Sequence, residues 1–157
     1  MTQTSPIDAA RAEEFGGKML GALTGASTSL MLSIGHQTGL FDKMAELPPS
    51  NSDAIAAAAG LNERYVREWL NALVTTRVIE YDPATKTYHL PAEHAASLTR
   101  AAGPNNLAGI AVYIPLLAEI EGKLIESFKH GGGVPYSEYP RFQELQRDET
   151  AATDADR

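Results

Sequence analysis

The sequence has no cysteine and no excess of positive charge. The first absence excludes disulfides, a thiolate nucleophile and a cysteine-based zinc site, and is compatible with a cytoplasmic location. The second is larger than it looks. Thirteen Lys and Arg stand against twenty Asp and Glu, so 157 residues carry a net charge of −7, which argues against a broad phosphate-binding surface. The usual catalytic signatures are missing too. His36, His89, His94 and His130 fall at no metal-ligand spacing, and neither HExxH nor GxSxG occurs. Gly131-Gly132-Gly133 has no apolar strand before it and no GK[ST] after it, so it reads as a helix stop or hinge. No catalytic residue, no metal and no nucleotide-binding core are expected in this chain.

The N-terminus lacks the basic-then-apolar order of a secretory signal. Charge is absent again from Met19 to Phe41, and Gly17, Gly21 and Gly25 keep the small-xxx-small spacing of closely crossing helices. Eight Ser, Thr, His and Gln residues interrupt this stretch, and Gly35 and Gly39 follow, so it is expected to form a soluble pair of helices and no membrane span.

What is present begins with those helices. Pro6 to about Leu23, capped by Ser5, makes the first; Ser27 to Thr38 makes the second, with Leu30, Met31 and Ile34 facing inward and Gly39 as its stop. The spaced glycines of the first helix mark Gly17, Gly21 and Gly25 as candidate contacts with a second copy in a homodimer. The centre of the chain is 51–90. Ser50 or Ser52 caps a helix from Asp53 to Ala59, and Gly60 ends it. Asn62 caps a longer helix from Glu63 to about Thr76, whose Tyr65, Val66, Trp69, Leu70, Leu73 and Val74 recur every three or four residues. Val78, Ile79 and Tyr81, a turn through Asp82-Pro83, and Thr87, Tyr88 and Leu90 then make a hairpin. A short helix from Ala92 to Leu98 follows.

This order is that of a winged helix-turn-helix. The fold class expected is mainly α: a winged helix-turn-helix with a small two-stranded wing, flanked by N-terminal helices and a long C-terminal helix. That last helix runs from Asn105 or Asn106 to Phe128, kinked or split at Pro115, with Leu107, Ile110, Ala111, Ile114, Leu117, Leu124, Ile125 and Phe128 on one face. By domains, 1–103 holds the N-terminal helices and the winged helix (about 27–98), 104–147 the long helix and an aromatic linker, and 148–157 a disordered tail. The linker includes a short helix from Pro140 to about Gln146.

Two sites suggest themselves. The second helix of the winged unit would offer Asn62, Arg64 and Arg67 to DNA. Yet 51–90 holds four cations against five anions, a net of −1, which favours a scaffold over a duplex reader. Tyr136, Tyr139 and Phe142 form an aromatic cluster beside the glycine hinge, either lining a small-molecule pocket or latching against the helices.

Four pieces taken in order, LSIGHQTGLFDKMAE, AAAAGLNERYVREWLNALVTTRVIEYD, TYHLPAEHAASLT and GGGVPYSEYPRFQEL, resemble the N-terminal winged-helix region of class I S-adenosylmethionine-dependent methyltransferases. The nearest subgroup is the actinobacterial one labelled methyltransferase or transcriptional regulator, and the likeness spans Phe15 to Leu145. It implies a dimerising, substrate-lid domain preceding a Rossmann-like domain that binds S-adenosylmethionine and a small-molecule methyl acceptor. The linker resembles Phe-x-x-x-Met-x-x-x-Ser, here Phe142, Gln146 and Thr150, so by resemblance Phe142 lies near the cofactor, whereas Gln146 departs from the methionine. No Rossmann domain follows in this sequence, so the expectation is a fragment, a truncated product or a stand-alone relative that binds no cofactor alone. The competing expectations are a winged-helix transcriptional regulator of DNA or a small effector, and a structural oligomerisation module.

Overall fold

A computed structural model describes residues 7–139. The expected cap at Ser5, the helix start at Pro6, Phe142, the helix from Pro140 to Gln146 and the tail lie outside them.

The first departure from expectation is at the N-terminus. One helix, α1 (Ala9–Thr38), replaces the two foreseen. Asp8 caps it, its side chain accepting from the amides of Ala10 and Arg11. Each glycine inside it costs up to about 1 kcal/mol of helix propensity, but neither proline nor a competing cap interrupts the chain. The hydroxyls of Thr24, Ser27, Thr28 and Ser29 bond back to carbonyls four residues earlier, so they stay satisfied within the helix. α1 ends where expected, at Gly39, whose φ of 73° suits glycine.

α2 (Leu40–Glu46) turns back against α1, and α3 (Ser52–Ala59) and α4 (Glu63–Thr75) form the helix-turn-helix. Asn62 caps α4 as read from the sequence. The cap of α3 is neither serine but Asn51, whose Oδ1 accepts from Ala54 N at 2.9 Å. Both serines are engaged elsewhere: Ser50 pairs backbone to backbone with Tyr88, and Ser52 lies inside the helix and donates to Glu63 Oε1 at 2.6 Å.

The wing is β1 (Glu80–Asp82) antiparallel to β2 (Thr87–His89), in register Glu80 to His89, Tyr81 to Tyr88 and Asp82 to Thr87. Val78 and Ile79, expected in the strand, precede it, and Ile79 enters the core. The core gathers Phe41 and Met44 from α2, Ile55 from α3, Val66, Trp69, Leu70 and Leu73 from α4, and Tyr88 and Leu90 from the wing. Tyr65, read as an inward position, is 73% exposed.

Beyond α5 (Ala92–Ala95) the chain takes a 3-10 turn, Arg100–Asn105, in which Gly103 has φ 54°. The long C-terminal helix is then three: α6 (Leu107–Ile110), α7 (Tyr113–Ala118) and α8 (Glu121–His130). Tight i→i−3 bonds, such as Val112 N to Gly109 O and Ile120 N to Leu117 O, join them. Pro115 falls in the first turn of α7, where its missing N–H costs nothing. The tightened turns change which residues look inward. Ala108, Ala111, Val112, Leu116 and Ile120 are buried, whereas Leu107, Ile110, Ile114, Leu117, Leu124, Ile125 and Phe128 lie exposed. Leu30 and Ile34 of α1, expected inside, are likewise exposed.

Candidate functional site

The helix that would offer Asn62, Arg64 and Arg67 to DNA carries carboxylates of its own. Asn62 spends its side-chain oxygen on the Arg64 amide, 3.1 Å away, as the helix cap. Arg64 is exposed, and Arg67 Nη1 sits 3.4 Å from Glu63 Oε1. Glu68 is exposed on the same helix, and the adjoining wing presents Glu80 and Asp82. Tyr88 locks wing to helix by donating its hydroxyl to Asn71 Oδ1 at 2.8 Å. Burial, then the neighbouring Tyr81, pushes the Tyr88 hydroxyl above its ordinary pKa. Arg77 and Lys86 are exposed beside them, so charges of both signs face outward here.

A groove of about 490 Å³ lies along the wing, lined by Pro49, Glu80, Tyr81, Asp82, Thr85, Thr87 and His89. Hydrogen bonds from Thr85 and Ala84 hold the Asp82 carboxyl below its usual range. The same bonds tie that carboxylate to its own turn, at 2.8 and 2.9 Å. Among the described residues no three His, Asp or Glu side chains gather where they could hold a metal ion. His94 Nδ1 meets the Val78 carbonyl at 2.9 Å and His130 lies 3.6 Å from Glu126, whereas His89 Nδ1 is buried without a hydrogen-bond partner among the described residues.

Gly17, Gly21 and Gly25 stand on the exposed half of α1, and a β-carbon added at any of them meets no atom of the described residues within 4 Å. The apolar side chains beside them are in solvent, Phe15 at 62% and Leu23 at 67% exposure. A second apolar surface, on α6, α7 and α8, culminates in Phe128 at 85%. Together these exceed what scattered surface hydrophobics explain.

Tyr136 and Tyr139 are brought together, ring centroids 6.3 Å apart, on a strap that follows α8. Gly131, Gly132 and Gly133 all take positive φ (74°, 96°, 72°), the conformation that lets the chain reverse there. An ion pair of Glu138 with Lys123 returns the strap to α8.

One cluster escaped the sequence reading. Arg100 pairs with Asp42 and donates to the carbonyl of His36 at 2.6 Å, and Asn106 Nδ2 meets His36 Nδ1 at 3.3 Å. Its members come from four separate elements, and no local spacing announces them.

Residues 26–100 match the family model described as the Rv2258c-like winged HTH domain. No curated protein matches the chain. Among solved structures, human N-acetylserotonin methyltransferase in complex with SAM superposes with a TM-score of 0.66 at 18% identity, over 97% of this chain and 46% of that one. The mitomycin 7-O-methyltransferase gives 0.63 at 22% identity, over 93% of this chain and 43% of the other. A riboflavin-analogue dimethyltransferase from Streptomyces davawensis gives 0.62 at 19%, over 94% and 44%. The chain therefore spans under half the length of each. What it shares with them at such identities is the fold, a winged helix-turn-helix with its flanking helices, which fits the N-terminal winged-helix region that the sequence resembles.

Proposed function

We propose that this chain is the dimerisation and substrate-lid region of a SAM-dependent methyltransferase acting on a small molecule in the cytoplasm. The observation that carries the reading is a winged helix whose second helix and wing carry as many carboxylates as cations, attached to two apolar surfaces that are exposed among the described residues. Residues 1–103 are the dimerising unit in this reading, and 104–147 lead toward the methyltransferase domain.

The shape of α1 supports a homodimer. Thirty residues make a helix about 45 Å long. Its second half is fixed on the body by Trp69 and α6, so its first half cannot fold back over the same chain's α6 to α8 surface. The arm of a second copy can, and a two-fold axis makes the exchange reciprocal. Gly17, Gly21 and Gly25 then let the backbones approach.

The described residues do not fit S-adenosylmethionine. Their only sheet is a two-stranded antiparallel wing, with no strand, glycine turn and helix in sequence to hold a nucleotide. No methyl-transfer step is assigned to them. Tyr136 and Tyr139, on the strap beyond α8, are the residues we place nearest a methyl acceptor; by resemblance Phe142 is the one nearest the cofactor. Among the described residues no helix is long and apolar enough to cross a membrane.

Calorimetry tests the reading. The chain as it stands should bind S-adenosylmethionine no more tightly than millimolar; micromolar binding would show that the cofactor site is here and that the lid assignment is wrong. The regulator reading keeps one favourable observation, the exposed Arg64, and is tested by duplex binding below.

A further inference from the structure

A polar contact between His36 and Asn106 lies where α1 meets the start of α6. Asn106 caps α6 by accepting from the Gly109 amide at 2.9 Å through Oδ1. That bond fixes its amide orientation, so the group facing His36 is the NH2, at 3.3 Å from Nδ1. An amide NH2 only donates. His36 Nδ1 must therefore accept, which requires the neutral ring with its proton on Nε2.

Protonating His36 sets two donors against each other. Asn106 cannot answer by flipping its amide, because the NH2 would then face the Gly109 N–H and the helix cap would be lost. It can satisfy a charged His36 or cap α6, but not both. The surroundings oppose the charge as well. Arg100, on the 3-10 turn, and Asp42, on α2, are the charged groups facing the ring, and they are already paired with each other. α1 has no charged residue from Met19 to its end, α6 has none, and α7 contributes only Tyr113 among titratable groups. α4 packs on α1 through Trp69, while its Arg64, Arg67 and Glu68 are exposed and its Glu63 is engaged by Ser52 and Arg67.

We propose that His36 and Asn106 form an acid-sensitive latch, which holds α6 against α1 while His36 is neutral and releases it when His36 takes up a proton. Burial first, and Arg100 second, lower the His36 pKa below its ordinary 6.5, with Asp42 opposing them. A histidine lowered in the fold protonates more readily once released. The latch is therefore intact above the ordinary value and is lost as pH falls from there through the lower folded value. The released elements are those that carry the bare apolar surface and lead to the aromatic strap.

Amide exchange on the full chain tests this. The protection factor at the Gly109 N–H should fall about fivefold or more between about pH 7.5 and about pH 5.5. Leu70, in the core helix, should hold its protection over the same range. Asn106→Asp retains a capping side chain and can accept from both Gly109 and a protonated His36, so it should abolish the fall. A smaller fall at Gly109, an equal fall at Leu70, or an undiminished fall in Asn106→Asp or His36→Gln overturns the latch.

Discussion

The indole N–H of Trp69 donates to the backbone carbonyl of Met31 at 2.8 Å, joining the second helix of the winged unit to the long N-terminal helix. Phe41 packs edge-on to the same ring, centroids 5.1 Å apart. Through this contact the half of α1 nearest the body packs against the core, while its other half is exposed. Trp69→Phe keeps most of the apolar contact but loses the bond. The Met31 carbonyl still has helical surroundings, so the expected loss is about 1–2 kcal/mol, read from a urea midpoint with an unchanged slope.

Gly35 and Gly21 should respond to alanine with opposite signs. A β-carbon at Gly35 would lie 2.5 Å from both Phe41 and Trp69, two rings that cannot both retreat. Overpacking of this kind costs about 1–3 kcal/mol and outweighs the gain of up to about 1 kcal/mol in helix propensity. Gly21 has open space around it, so Gly21→Ala should stabilise the isolated fold slightly. Thermal melts of the two variants in parallel decide the matter; equal shifts would contradict the packing at Gly35.

If the free arm of α1 makes the dimer, bulk at its glycines should break it. Gly21→Leu should lower the mass seen by light scattering toward that of one chain, while far-ultraviolet circular dichroism stays helical. A mass that does not change rejects this use of the glycines.

Duplex binding separates the lid from the regulator. With Arg67 beside Glu63 and the wing acidic, gel shifts at low salt should show no complex. A complex that weakens steeply with salt, and further on Arg64→Ala with Arg67→Ala, would instead favour the regulator.

The caps can be told apart by substitution. Asn51→Ala should cost about 1 kcal/mol, since it orphans the Ala54 amide at the start of α3. Ser50→Ala should cost far less, because the part of Ser50 that reaches the wing is its backbone.

Much of the winged unit could be read before any coordinates, because its signals are local. Gly39 and Gly60 stop helices in the left-handed conformation, Asn62 caps the next one, and Trp69, Leu70 and Leu73 repeat at helical spacing. Each of these acts across one or two turns of chain. The aromatic pair at Tyr136 and Tyr139 was legible for the same reason.

Where the reading failed, distant partners decided the outcome. Ser50 and Ser52 are sound caps by residue type, but Tyr88 and Glu63 claim them, leaving Asn51. The apolar residues of 107–128 were correctly seen as a pattern, yet the tight turns between α6, α7 and α8 chose which of them look inward. The cluster of His36, Asp42, Arg100 and Asn106 joins residues up to 70 apart. The sequence by itself determined the helix-turn-helix pair α3 and α4, the stops at Gly39 and Gly60 and the two-stranded wing, since backbone capping and side-chain periodicity are short-range. Only the tertiary structure decided which apolar faces remain bare and where a neutral histidine is required, because those depend on groups that meet only after the chain has folded.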